Sequence, residues 1–140
     1  MLRHSMSTLA GVILALLLAL WSPGIANAAP PLEARTSDAG GVKIVVTPRP
    51  LVAGSSVWEF DIVLDTHSKP LTEDLGRLSA IVDEDGRRYA PVSWQADPPG
   101  SHHRKGVLQF PLPASPPKTI ELQINGVGGV GMRAFKWNLQ

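Results

Sequence analysis

The sequence predicts an all-β domain, an immunoglobulin-like antiparallel β-sandwich of about seven strands, and three observations predict it. Residues 57–65, VWEFDIVLD, alternate so that Trp58, Phe60, Ile62 and Leu64 share one face while Glu59, Asp61 and Asp65 take the other. Only an extended strand has that period of two. Short runs of the same kind recur through the chain, separated by turns rich in Pro and Gly. No amphipathic pattern of helical period lasts long enough to form a stable helix. A small open barrel is the other architecture that fits such strands.

The N-terminal residues read as a secretory leader. Arg3 and His4 precede an apolar run, residues 9–21, and Ala26-Asn27-Ala28 supplies the small residues of a cleavage site after Ala28. A run of 13 residues is shorter than the roughly 20 that a membrane-spanning helix needs. Residues 1–28 are therefore expected to be a signal peptide, leaving an exported chain in the periplasm or the extracellular medium with no transmembrane anchor. The chain has no cysteine, so packing rather than disulfides must hold the domain in a compartment where disulfides could form.

Residues 29–140 suffice for one hydrophobic core. Removing Arg3 leaves 12 Lys and Arg against 12 Asp and Glu, so the formal charge falls from +1 to 0. A balanced chain is a poor match for nucleic acid, whose binding rests on neutralising phosphates. Residues 29–41, APPLEARTSDAGG, lack periodicity and read as a flexible arm, with the sandwich domain occupying residues 42–140.

Seven strands are expected. Residues 42–47 are β-branched and close at Pro48 and Pro50; residues 57–65 follow. Residues 78–82 and 88–94 flank DEDG, residues 83–86, as a hairpin with Gly86 in the turn. Residues 107–112 end near Pro111, which suits a strand terminus or an edge because proline cannot donate to the ladder. Residues 119–125 turn Ile120, Leu122 and Ile124 inward, and residues 132–139 do the same with Phe135, Trp137 and Leu139. Trp58 and Trp137 are expected in the core. The one helix-like stretch, LTEDLGRLSAI, is cut at Gly76, leaving at most a turn over residues 72–75 with Thr72 as its N-cap.

Antiparallel alternation sends the connections 66–77, 95–106 and 126–131 to one end. His67, His102 and His103 lie in the first two, and with Asp97 they form a candidate metal set for zinc or copper, because neutral imidazole is a ligand for both. Two features count against it. Neighbouring side chains on extended backbone point apart, so His102 and His103 converge only if their loop turns, and Arg104 and Lys105 follow at once. In the competing account the histidines only brace the loops through hydrogen bonds, and the domain serves an unidentified protein partner. Tyr89, Trp94 and Pro98-Pro99 beside the two cations could offer such a partner a rim.

No catalytic residues are assigned. Ser68 or Ser101 with a histidine and Asp65 or Asp97 has the residue types of a nucleophilic triad, but no GxSxG elbow exists. GVGGVG, residues 126–131, matches a dinucleotide fingerprint in letters only, since a strand-like segment rather than a helix follows. The chain is therefore expected to be a non-enzyme.

The runs LDTHSKPLTEDL, DEDGRRYAPVSW, PPGSHHRKGVLQF and MRAFKWNL resemble a set of small exported bacterial and archaeal β-sandwich proteins of no assigned function, sharing a DTHS…W…GSHHRKG pattern. The resemblance spans residues 42–139. It implies that His67, Trp94, His102, His103 and Arg104 belong to the pattern, and it implies no activity.

Overall fold

A computed structural model describes Gly24, residues 30–52 and residues 54–140. The expected leader, Gly24 apart, lies outside the described residues. Among those described, no helix is long and apolar enough to cross a membrane.

The described residues form an all-β fold, with nine strands in two antiparallel sheets arranged as in a sandwich. The strands are β1 (Arg35–Ala39), β2 (Val42–Pro48), β3 (Val57–Thr66), β4 (Ser79–Asp83), β5 (Arg88–Tyr89), β6 (Ser93–Ala96), β7 (His103–Pro111), β8 (Thr119–Asn125) and β9 (Met132–Asn138). The first sheet has the order β1-β2-β3-β7-β6 and the second β5-β4-β8-β9.

The alternation in β3 translates directly into packing. Trp58, Phe60, Ile62 and Leu64 are all buried, beside Val42, Ile44 and Val46 of β2 and Leu108 and Phe110 of β7. The opposing sheet contributes Ile120, Leu122, Ile124, Phe135 and Trp137. Phe60 meets Phe110 edge-on at 5.6 Å between centroids and reaches across to Trp137 at 6.0 Å. Both tryptophans expected in the core, Trp58 and Trp137, are there. Aromatic pairs in these geometries add to the stabilisation that burial provides.

Three departures from the expected elements have local causes. First, part of the expected arm, residues 35–39, is a strand paired with β2 from Arg35 opposite Val46 to Ala39 opposite Val42. Gly40 and Gly41, at φ +59° and +73°, make the two-residue turn whose twist suits a hairpin. β1 buries no side chain completely, so its composition carries no apolar signal.

Second, the expected strand over residues 88–94 is two strands in different sheets. β5 pairs with β4, β6 pairs with β7, and the chain crosses between sheets at residues 90–92. Pro91 lies in that crossing, where it interrupts no ladder.

Third, the short helix α1 occupies Leu75–Leu78, through Gly76 rather than before it, and Asp74 caps it by accepting from the Gly76 N–H at 3.0 Å. The helix buries Leu75. Pro111 ends β7, which is a central strand, so of the two sites that proline suits it takes the terminus.

Candidate functional site

β7 begins at His103, four residues before the expected start, and pairs with β3 through Asp65 opposite His103 and Leu64 opposite Arg104. That register alternates the side chains of the HHRKG segment. His103 and Lys105 face outward on the sheet, while Arg104 points between the sheets and is 6% exposed.

The buried guanidinium has no carboxylate partner among the described residues and is held by carbonyl groups. Its Nε donates to the Asp97 carbonyl oxygen at 2.8 Å, its Nη1 donates to the Glu73 carbonyl oxygen at 2.7 Å, and it lies 5.7 Å from the centroid of the Trp94 ring. A planar fork of donors suits two acceptors on different segments. Arg104 thus ties the segment before α1 to the β6–β7 connection. Gly106 makes room for the same unit: a Cβ there would lie 2.5 Å from the Trp94 ring.

Backbone groups complete the junction. The Thr66 N–H donates to the His102 carbonyl oxygen at 2.9 Å, the Leu71 N–H to Ser101 at 3.0 Å, and the Gly100 N–H to Leu71 at 2.9 Å. The 66–74 and 97–102 segments are therefore stitched to each other by main chain and clamped by Arg104.

The candidate ligands are distributed over this unit without converging. His67 and His102 are exposed, and their imidazoles make no hydrogen bond or ion pair with the described residues. His103 directs Nδ1 to the Asp65 carboxylate. Asp97 accepts the Lys105 N–H at 2.9 Å through its own carboxylate. No group of three or more His, Asp or Glu side chains is placed to hold one metal ion among the described residues. His103 opens β7 with its Nδ1 on Asp65, His102 lies before the strand, and one Asp97 carboxylate oxygen is taken by the β7 backbone. The bracing expected of His67 through its ring is carried instead by main-chain groups and Arg104. The Ser101 hydroxyl donates to the His103 carbonyl oxygen, so the serine and imidazole are not coupled as a nucleophile and base would be.

No protein-family model, curated protein or solved structure matches the chain.

A second buried arginine, which the residue pattern had not singled out as functional, sits at the same end. Arg133, opposite Ile124, donates from Nη1 to the carbonyl oxygen of Val42 at 2.8 Å and to the Ser37 hydroxyl at 3.2 Å. From Nη2 it donates to Ala39 at 2.6 Å and Val127 at 3.0 Å. Burial lowers its pKa, opposed by the charges of Asp38 and Glu73. The GVGGVG segment serves this contact: it makes a tight turn, with a 3-10 segment at Val127–Gly129, that lies against the Gly40-Gly41 turn. One end of the domain is thus built around two inward arginines, each bound to carbonyl groups.

Proposed function

We propose that the chain is an exported, non-enzymatic β-sandwich domain of immunoglobulin-like type, an extracytoplasmic interaction or accessory module whose histidine-bearing loops are braced to one another. The observation that carries this reading is the Arg104 clamp with its three flanking backbone hydrogen bonds. An arrangement that uses the loop carbonyls and one Asp97 carboxylate oxygen internally is suited to rigidity rather than to ligation or turnover. The export reading rests on the apolar run and the Ala-Asn-Ala site.

A second reading, zinc or copper binding, has one observation in its favour. A carboxylate bonded to one ring nitrogen, as Asp65 is to His103, is the usual support behind a metal-ligating imidazole. Titration of chelator-stripped protein with zinc and copper separates the two. The bracing reading expects dissociation constants on the order of millimolar or weaker and no change with His67→Ala, His102→Ala or Asp97→Asn. Binding on the order of micromolar, abolished by His103→Ala, would overturn it in favour of a metal site.

A further inference from the structure

We propose that the end of the sandwich opposite the arginine clamps is a surface for a lipid bilayer, an inference that rests on the export reading above. Four large apolar side chains are exposed among the described residues, and three stand at this end. Leu51 and Val52, 53% and 71% exposed, lie in the β2–β3 connection, and Val92, 58% exposed, precedes β6. The Val92 N–H donates to Gln109, Gln109 is opposite Glu59, and Glu59 accepts the Arg49 N–H. Across the order β2-β3-β7-β6 this row spans three strand spacings, about 14 Å. The three side chains thus spread across the width of the sheet at its end.

The route of the chain indicates what covers them. β1 starts at this end, with Arg35 opposite Val46 two residues from the close of β2. Upstream, the Glu33 carbonyl oxygen accepts from Trp137 Nε1 at 2.7 Å, and Trp137 is opposite Ile120 near the start of β8. The chain upstream of Glu33 therefore enters the fold at the same end as Leu51, Val52 and Val92, on the β1 side of the sheet. The apolar run at residues 9–21 precedes Pro30 by only residues 22–29, which even fully extended reach about 28 Å. A leader held in the membrane during export brings this end, and not the clamped one, to the bilayer. Exposed Leu and Val side chains there gain free energy by entering the lipid interface, which keeps the domain at the surface after cleavage.

The absence of cysteine allows a site-specific test. Full-length chain carrying Val52→Cys or His67→Cys is expressed and recovered after export, its N-terminus is read by mass, and the thiol is labelled with a fluorophore. Vesicles of phosphatidylethanolamine and phosphatidylglycerol containing nitroxide lipid should quench the label at position 52 and leave position 67 bright. Leu51→Asp combined with Val92→Asp should weaken vesicle partitioning at least about tenfold, by removing the apolar contribution, with an unchanged circular dichroism spectrum. Equal quenching at both positions, no vesicle binding, or binding insensitive to the two aspartates overturns the proposal. Concentration-dependent burial of the position-52 label without vesicles also overturns it, in favour of a second copy of the chain on this surface. An uncleaved, unexported product would sink the export reading separately, while the quenching still decides the lipid surface.

Discussion

Arg104 holds its guanidinium 5.7 Å from the centre of the Trp94 ring while it donates to the carbonyl oxygens of Asp97 and Glu73. The aromatic face and one acceptor come from residues 94–97 and the other acceptor from residue 73, so one side chain fixes the relative positions of the two segments. Lysine keeps the charge but not the fork. Arg104→Lys should therefore lower the free energy of unfolding by about 2 kcal/mol or more, read as a shift in the urea midpoint at constant slope. A change below about 0.5 kcal/mol, the scatter of neutral surface substitutions, would remove the clamp from the account of this end.

Gly106 and Trp94 form a size-matched pair, because the indole occupies the space where a Cβ at position 106 would be. Gly106→Ala should cost about 1–3 kcal/mol through overpacking. Combining it with Trp94→Ala should cost less than the sum of the two single changes, since the ring contact is removed while the Ala96 Cβ, 2.6 Å from the added atom, stays in place. A double-mutant cycle measures that coupling directly. Additive effects would show that the Ala96 Cβ, and not the ring, carries the cost.

Most of the strands were legible because alternation records burial: β3, β8 and β9 expose their pattern through Phe60, Leu122 and Trp137. β1 was not, since a polar edge strand with no fully buried side chain leaves no such record; its signal was the Gly40-Gly41 pair alone. The clamps were hidden by residue type rather than by pattern. Arg104 is in phase with Leu108 and Phe110, and Arg133 with Phe135 and Trp137, so carrying the inward parity one step further for Arg133, and two steps through Gly106 for Arg104, would have placed both inside. A charge at an inward position reads as the end of a strand unless its acceptors are known, and the acceptors here are carbonyl groups contributed by distant segments. The histidines, in contrast, stand out by type, although only His103 lies on β7, where it is exposed beside Asp65.

Asp83 sets the acid response of the hairpin. Burial pushes its carboxyl pKa up, but hydrogen bonds from the Arg87 N–H, the Tyr89 hydroxyl and the Asp85 N–H outweigh that and hold it below the usual range. Glu84 is lowered by the Lys118 N–H first, and Glu59 by Gln109 and then Arg49. A carboxylate whose pKa is lower folded than unfolded adds stability that is complete above the unfolded value, about 4. That stability is lost as pH falls through the folded value. Melting temperature should accordingly fall as the medium is acidified below about pH 4, and Asp83→Asn should flatten the descent. An acid limb unchanged by Asp83→Asn would place the linkage elsewhere.

Arg133 ties β1 to the body of the domain through Ala39, Val42 and Val127, and Gly40 permits the approach. At φ +59°, a Cβ on residue 40 would lie 2.3 Å from the Gly128 carbonyl oxygen, a contact that must force the two turns apart. Arg133→Met and Gly40→Ala should therefore loosen the same element by different routes. Each should raise amide exchange in residues 35–46 by about tenfold or more, relative to β3 and β8, because β1 has little apolar burial of its own to retain it. Arg133→Lys should not restore protection, since a single ammonium cannot reproduce the forked contacts on both turns. The double variant should exchange little faster than either single one, because residues acting on one shared contact are not additive. Uniform loss of protection across both sheets would instead make Arg133 a determinant of the whole fold.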